Sequence, residues 1–424
     1  MKRVRAKTRN GLIAALDVGT NKVCCFIARA DDEGNLRIVG IGHQVSDGVR
    51  GGMIIDMGAA EMSILKAVHA AEQMAGETIR KVIVNLSGGN PASQTRNFEV
   101  SIAGREVAEA DVRRVLGHGR AQFESAEREL VHCIPVGYTI DGSTGIRAPQ
   151  GMYGERLGVN MHMVTATSGA VRTLRTCVAR CHLDVEALVV SSYAAGLSCL
   201  VEDERNLGAT VIDMGGGTTS IAVFYDGKLV HADGVPIGGA HVTSDIARGL
   251  TTPLAHAERM KTLYGSAISS PSDESEIIDV PLVGEEDRAE ARHVPRAIPV
   301  SIIGPRIEET FELIGSRLEM SGFERIAGRR VVLTGGASQL QGVAELAARV
   351  LDKQVRHGRP LGITGLAEAT GGPAFATCAG LLTYAVKTHA EAPAGRILDL
   401  RARGATEEPS SRFGRFGLWL RENF

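Results

Sequence analysis

The stretch ATVIDMGGGTTSIAVFYDG, residues 209–227, reads as an apolar strand ending on an acid, a turn of three glycines and two threonines, and a second apolar strand. Apolar and β-branched runs on both sides of a glycine turn predict a hairpin. Residues 11–28, GLIAALDVGTNKVCCFIA, repeat the pattern, with Asp17-Val-Gly-Thr standing for Asp213-Met-Gly-Gly-Gly-Thr-Thr. An acid at the end of a buried strand is costly unless something pairs it. A hydrated Mg²⁺ does so, and glycines let backbone N–H groups close around phosphate oxygens. One such turn alone is weak, since most are plain hairpins. Two related copies, each opening one half of the chain, predict a duplicated α/β fold with a nucleotide clamped between the halves.

A third element fits this plan. Residues 329–351, RRVVLTGGASQLQGVAELAARVL, predict a strand, a Gly335-Gly336 turn and an amphipathic helix. The glycine pair lets a flat base or ribose lie against backbone at the helix start. The 424-residue length exceeds one compact core, so subdomains are expected. Net charge of −2 argues against nucleic acid as a partner. The seven cysteines include no Cys-x-x-Cys pair, and reduced buried thiols are expected. Cys24 and Cys25 should point to opposite faces of a strand. The basic N-terminus precedes an apolar run of only residues 12–16, too short for a signal peptide. Residues 185–201 contain Glu186, Tyr193 and three serines and fall short of a membrane span. The body is therefore expected in the cytoplasm.

Asp17-Val-Gly-Thr, Asp213-Met-Gly-Gly-Gly-Thr-Thr and Leu333-Thr-Gly-Gly-Ala resemble the phosphate 1, phosphate 2 and adenosine motifs of the actin, Hsp70 and sugar-kinase superfamily. Ser191-Ser-Tyr-Ala-Ala-Gly-Leu and Gly372-Pro-Ala-Phe-Ala-Thr-Cys-Ala-Gly-Leu-Leu resemble its two connecting helices, where small residues permit close packing. Between Leu86-Ser-Gly-Gly and Thr165 lies an insert containing Val131-His-Cys-Ile-Pro-Val-Gly-Tyr-Thr-Ile-Asp and Gly145-Ile-Arg-Ala-Pro-Gln-Gly-Met-Tyr-Gly-Glu-Arg-Leu. Together with Glu202-Asp-Glu-Arg-Asn-Leu-Gly and Val242-Thr-Ser-Asp-Ile-Ala, these segments resemble the FtsA family of bacterial cell division proteins. The resemblance covers residues 11–387 and the tail.

It implies an actin-like ATPase fold, two halves around a nucleotide cleft, with subdomain 1C replacing actin subdomain 1B. The implied division is a basic arm (1–10), subdomain 1A (11–88, 165–200 and a C-terminal helix in 361–389) and the 1C insert (89–164). Subdomain 2A takes 201–240 and 301–360, and 2B takes 241–300. A flexible linker (390–409) and an amphipathic helix (410–424) end the chain. ATP and Mg²⁺ are the implied cofactors. Asp17 and Asp213 would hold the metal through water and are the nearest thing to catalytic residues. Gly19, Thr20, Asn21, Lys22, Gly215, Gly216, Gly217, Thr218 and Thr219 would cradle phosphates. Glu258 and Lys261, an i,i+3 pair that also suits a plain surface ion pair, would line the nucleoside. Gly335, Gly336 and Ser338 would border the adenosine. Actin and Hsp70 carry Gln or Glu at the start of the first connecting helix, where it helps place the attacking water. Ser191 stands there in this chain, so at most slow hydrolysis is expected.

The tail SSRFGRFGLWLRENF, residues 410–424, holds the only Trp and three of ten Phe. On a helix, Phe413, Phe416, Leu420 and Phe424 share a face. Trp419 and Arg412 border it on one side and Arg421 on the other, with Arg415 opposite. Such a helix suits an anionic membrane surface, Trp at headgroup depth and Arg toward phosphates. Burying that face contributes roughly 6–12 kcal/mol before ordering costs. The family resemblance implies filaments by self-association, tethering of FtsZ through its C-terminal peptide at subdomain 2B, and recruitment of later division proteins through 1C. It places the protein on the cytoplasmic face of the inner membrane at the septum. Residues 242–265 and 300–319 are expected to build the FtsZ-docking surface, and the acidic stretch 266–299 reads as an irregular, solvated loop. The alternative is a soluble ATP-dependent phosphotransferase on the same fold.

Overall fold

Two sheets repeat one plan. In the computed structural model, which describes residues 11–31, 33–123, 125–284 and 292–387, strand Leu12–Val18 forms an antiparallel hairpin with Lys22–Ala30, which Leu36–Val45 extends. On its other side Leu12–Val18 takes parallel strand Lys81–Leu86, and that strand takes Asp184–Val190. Ala209–Met214 pairs in the same way: antiparallel to Thr219–Tyr225, then Lys228–Val235, and parallel to Arg330–Thr334, then Gln354–His357. A short sixth strand, Ile363–Thr364, extends the first sheet beside Leu36–Val45. The central strands are buried along almost their whole length, because helices cover both faces, and they read as continuous apolar runs. One hydrophobic core is centred on Leu16, Phe26 and Ile64 and also takes in Val211 and Phe224 from one face of the second sheet; another is centred on Ile212, Phe311 and Ile314.

The insert has a third core around Phe98, Leu157 and Met161. Its antiparallel sheet runs Ala92–Ser101, Arg156–Thr167, Arg128–Ile140 and Ser143–Ile146, backed by helix Glu109–Ala121. It also touches the second half: the Ser93 hydroxyl meets His231 Nδ1 at 3.1 Å, and Lys228 donates to the Val136 carbonyl at 3.3 Å.

The connecting helices Ser191–Cys199 and Ala376–Lys387 cross in contact. A Cβ placed on Gly380 would lie 1.7 Å from the Ala194 carbonyl oxygen, so only glycine permits this crossing. All seven cysteines are buried and none is in a disulfide, as the sequence suggested. Among the described residues no helix is long and apolar enough to cross a membrane. Residues 185–201 divide into most of strand Asp184–Val190 and the helix Ser191–Cys199.

Three expectations need adjustment. The stretch 266–299 is not irregular throughout: a 3-10 turn (Pro271–Glu274) and a hairpin (Ile277–Val280 with Arg292–Pro295) are tied by Arg296, which pairs with the buried Asp273 at 3.0 Å. The boundaries at 164/165, 240/241 and 300/301 fall inside a strand and two helices. Gly335-Gly336 leads into a 3-10 turn, and the following helix begins only at Val343. The arm 1–10, the linker 390–409 and the tail residues Phe413, Phe416, Trp419, Leu420, Phe424, Arg412, Arg415 and Arg421 lie outside the described residues.

Candidate functional site

Each hairpin delivers its acid from the same place, the penultimate residue of the buried first strand: Asp17 in Leu12–Val18 and Asp213 in Ala209–Met214. Both line one cleft of about 570 Å³. The two glycine turns meet across it. A Cβ on Gly217 would sit 2.5 Å from Thr20 Oγ1 and 2.8 Å from Gly51 Cα, so the second turn closes against the first only because that side chain is missing. Gly19, Thr20, Asn21 and Lys22 line one wall and Gly215, Gly216, Gly217 and Thr218 the other.

Both carboxylates are costly where they stand. Burial pushes Asp17 up to about 7, against the opposing pull of Lys22 and with a further push from Asp213. Burial also raises Asp213, offset in part by the Thr377 hydroxyl, which donates to its Oδ2 at 2.9 Å, and by Lys22. Lys22 is the nearby cation, but its ammonium donates to the Ala374 carbonyl and lies 3.4 Å from the centre of the Phe375 ring. Among the described residues no group of three or more His, Cys, Asp or Glu converges to ligate a metal directly. Two buried carboxylates facing one cavity therefore fit a cation that keeps its own water shell.

Asn85 ends the neighbouring parallel strand and organises the floor. Its Oδ1 accepts from the Val18 N–H at 2.7 Å, and its Nδ2 donates to Ser191 Oγ at 3.2 Å. Ser191 opens its helix and lines the cleft with a hydroxyl.

At the far end Glu258 and Lys261 line the cleft and are also paired with each other at 2.6 Å. Lys261 further donates to Thr243 Oγ1 at 2.9 Å and to the Gly239 carbonyl at 3.1 Å. The ion pair and the cleft position thus coexist. Gly335 and Gly336 border the same end.

Thr219 and Ser338 are corrections. The Thr219 hydroxyl donates to the Ile237 carbonyl at 2.8 Å, because the period-two alternation of its strand turns it away and gives the cleft to Ser220. The Ser338 hydroxyl is buried against the Gly335 carbonyl at 2.8 Å. Sequence reading missed Ser220, Asn85 and Thr377. Strand alternation could have found the first. The other two come from elements without a phosphate motif and are brought in by tertiary packing alone.

Two hairpin-bearing halves around one cleft define the class: this is an actin-like ATPase fold. Solved structures of similar fold include the PilM–PilN type IV pilus biogenesis complex (TM-score 0.62, 18% identity, 88% of this chain and 98% of that one). MreB5 of Spiroplasma citri, solved bound to ADP, is also similar (TM-score 0.52, 14% identity, 89% and 97%). The family described as "Cell division protein FtsA" matches residues 210–380, and "SHS2 domain inserted in FTSA" matches residues 88–165. The chain is 46% identical to "Cell division protein FtsA" of Rhizobium meliloti (strain 1021), over 98% of this chain and 96% of that protein. It is 34% identical to the protein of the same name from Escherichia coli (strain K12), over 98% and 99%. The chain belongs to the FtsA family of cell division proteins.

Proposed function

We propose that the cleft binds ATP with a hydrated Mg²⁺, and that the nucleotide fixes the two halves in one orientation. The observation that carries this reading is the facing pair Asp17 and Asp213, buried with raised pKa values at equivalent ends of two duplicated strands. Mg²⁺ would supply positive charge to the two carboxylates and to the phosphates. Backbone N–H groups of the two turns would hold phosphate oxygens, with the hydroxyls of Thr20, Thr218 and Ser220 beside them. Glu258, Lys261 and the Gly335-Gly336 turn would flank the nucleoside. Ser191 is a poor base, so turnover is slow and bound ATP acts mainly as a structural ligand.

On this reading the protein self-associates into filaments when loaded. It attaches through residues 410–424 to the cytoplasmic face of the inner membrane at the septum, tethers FtsZ through subdomain 2B and receives later division proteins on the insert. Family membership supports these roles, and the apolar face of the tail supports attachment. Calorimetry of Mg-ATP with the full chain tests the cleft. Asp213→Ala should lose binding by at least about tenfold, as removal of a metal-shell group does. Wild-type affinity in that variant would remove the assignment.

A further inference from the structure

A second cavity, of about 320 Å³, lies behind the first phosphate turn. Its floor is the C-terminal ends of two parallel strands, at Val18 and Asn85-Leu86. Its walls come from the 49–54 hairpin, the 87–90 loop and the first turns of helix Ser168–Arg180. Cavities in α/β sheets take ligands at this end of the strands. No charged side chain lines it. Val49, Ile54, Leu86 and Leu174 make it apolar, while Ser87 offers a half-buried hydroxyl and Asn90 and Thr167 polar groups at the exposed mouth.

Asn85 and Ser87 line both this cavity and the nucleotide cleft. The partition between them is backbone. A Cβ on Gly88 would meet the Gly52 carbonyl oxygen at 2.3 Å, and one on Gly52 the Gly88 nitrogen at 2.7 Å. The Gly52 N–H donates to Thr20 Oγ1 at 3.0 Å, and Thr20 and Gly51 are the atoms against which Gly217 closes. The turn at Gly51-Gly52 is therefore a wedge, with this cavity on one side and the closing second phosphate turn on the other.

We propose that this cavity is a second ligand site for a small uncharged, mainly apolar molecule carrying one hydroxyl or amide, and that its occupancy is coupled to nucleotide binding through the Gly51-Gly52 wedge. The volume lies at the small end of ligand pockets and the lining is mainly apolar, and the absence of charged side chains disfavours phosphates, carboxylates and amines. The binding stands on the cavity itself; the coupling rests on the cleft reading above. The wedge supplies the route for the coupling, and thermodynamic linkage makes it reciprocal.

The test uses the full chain labelled at its methionine methyl groups, with 2-naphthol as the probe. Met53 lines the cavity, and Met53→Leu assigns its resonance. Titration should move the Met53 signal saturably. Ala170→Trp, which fills the cavity from the helix side, should weaken the probe at least tenfold while the core signals of Met161, Met163 and Met214 stay in place. A Met53 signal that does not move in the wild-type chain overturns the site, as does unchanged affinity in a folded Ala170→Trp variant. Saturating Mg-ATP should change the 2-naphthol affinity about fivefold or more, and 2-naphthol should change the Mg-ATP affinity by the same factor. Unchanged affinities with both ligands bound overturn the coupling. Failure of Mg-ATP to bind at all would overturn the cleft reading, and the Met53 titration would still decide the cavity.

Discussion

Asp17→Asn should make the nucleotide-free protein more stable while abolishing its response to Mg-ATP. Asp17 titrates at 3.8 when unperturbed and at about 7 in the fold, chiefly because burial penalises its charge. Below 3.8 the group is neutral in folded and unfolded chains, and above about 7 it is charged in both. Between these values the folded state keeps a proton that the unfolded chain has lost, so stability falls as pH rises. The slope is about 1.4 kcal/mol per pH unit, and the whole interval amounts to about 4 kcal/mol. An asparagine of the same shape escapes this cost. Its advantage should therefore be absent near pH 4, grow through the acid range and level off above pH 7. Urea midpoints of both chains without nucleotide, read from pH 4 to 8.5, measure it. With Mg-ATP the wild-type midpoint should rise at pH 8 and that of the variant should not, because the amide no longer attracts the cation. An advantage independent of pH, or an asparagine variant less stable at pH 8, would refute the argument that Asp17 is a desolvated carboxylate held for a cation.

Gly380→Ala should lower the urea midpoint by the equivalent of about 3 kcal/mol or more, since its Cβ would meet the Ala194 carbonyl at 1.7 Å and force the connecting helices apart; an unchanged midpoint would contradict the crossing. Trp419→Ala and Leu420→Glu should abolish flotation with anionic vesicles and leave the thermal unfolding of the body unchanged. On lipid monolayers, filaments should form with a non-hydrolysable ATP analogue as well as with ATP, accompanied by slow phosphate release. Filaments that require rapid release would show that Ser191 does not limit turnover.

The halves of the fold were legible because the two hairpins repeat a pattern carried by local chemistry: apolar strand, acid, glycine turn, apolar strand. The register followed too, since Asp17 and Asp213 end up at matching places. Thr219 was misassigned because adjacent Thr218 and Thr219 look equivalent in sequence while a strand sends neighbours to opposite faces. Ser338 was misassigned because the Gly335-Gly336 turn winds into a 3-10 segment that folds the hydroxyl back on Gly335. Asn85 and Thr377 lie 68 and 164 residues from the acids whose strands they serve (85 − 17 and 377 − 213), and no local pattern distinguishes them. The second cavity was invisible for the same reason, because its lining is assembled from four separate segments.

Thr377 also ties the second acid to a connecting helix. It is the second residue of helix Ala376–Lys387 and donates to Asp213 Oδ2. The loop just before that helix takes the Lys22 ammonium on the Ala374 carbonyl and stacks Phe375 on Phe26 at 6.0 Å between ring centres. The same loop accepts from the Gly335 N–H through the Pro373 carbonyl at 3.1 Å. Residues 373–377 thus contact the first hairpin, the second acid and the Gly335-Gly336 turn. A ligand that draws Lys22 away from Ala374 or engages Asp213 would change the partners of residues 373–377. The close packing of that helix at Gly380 against Ala194 leaves little room for bending there.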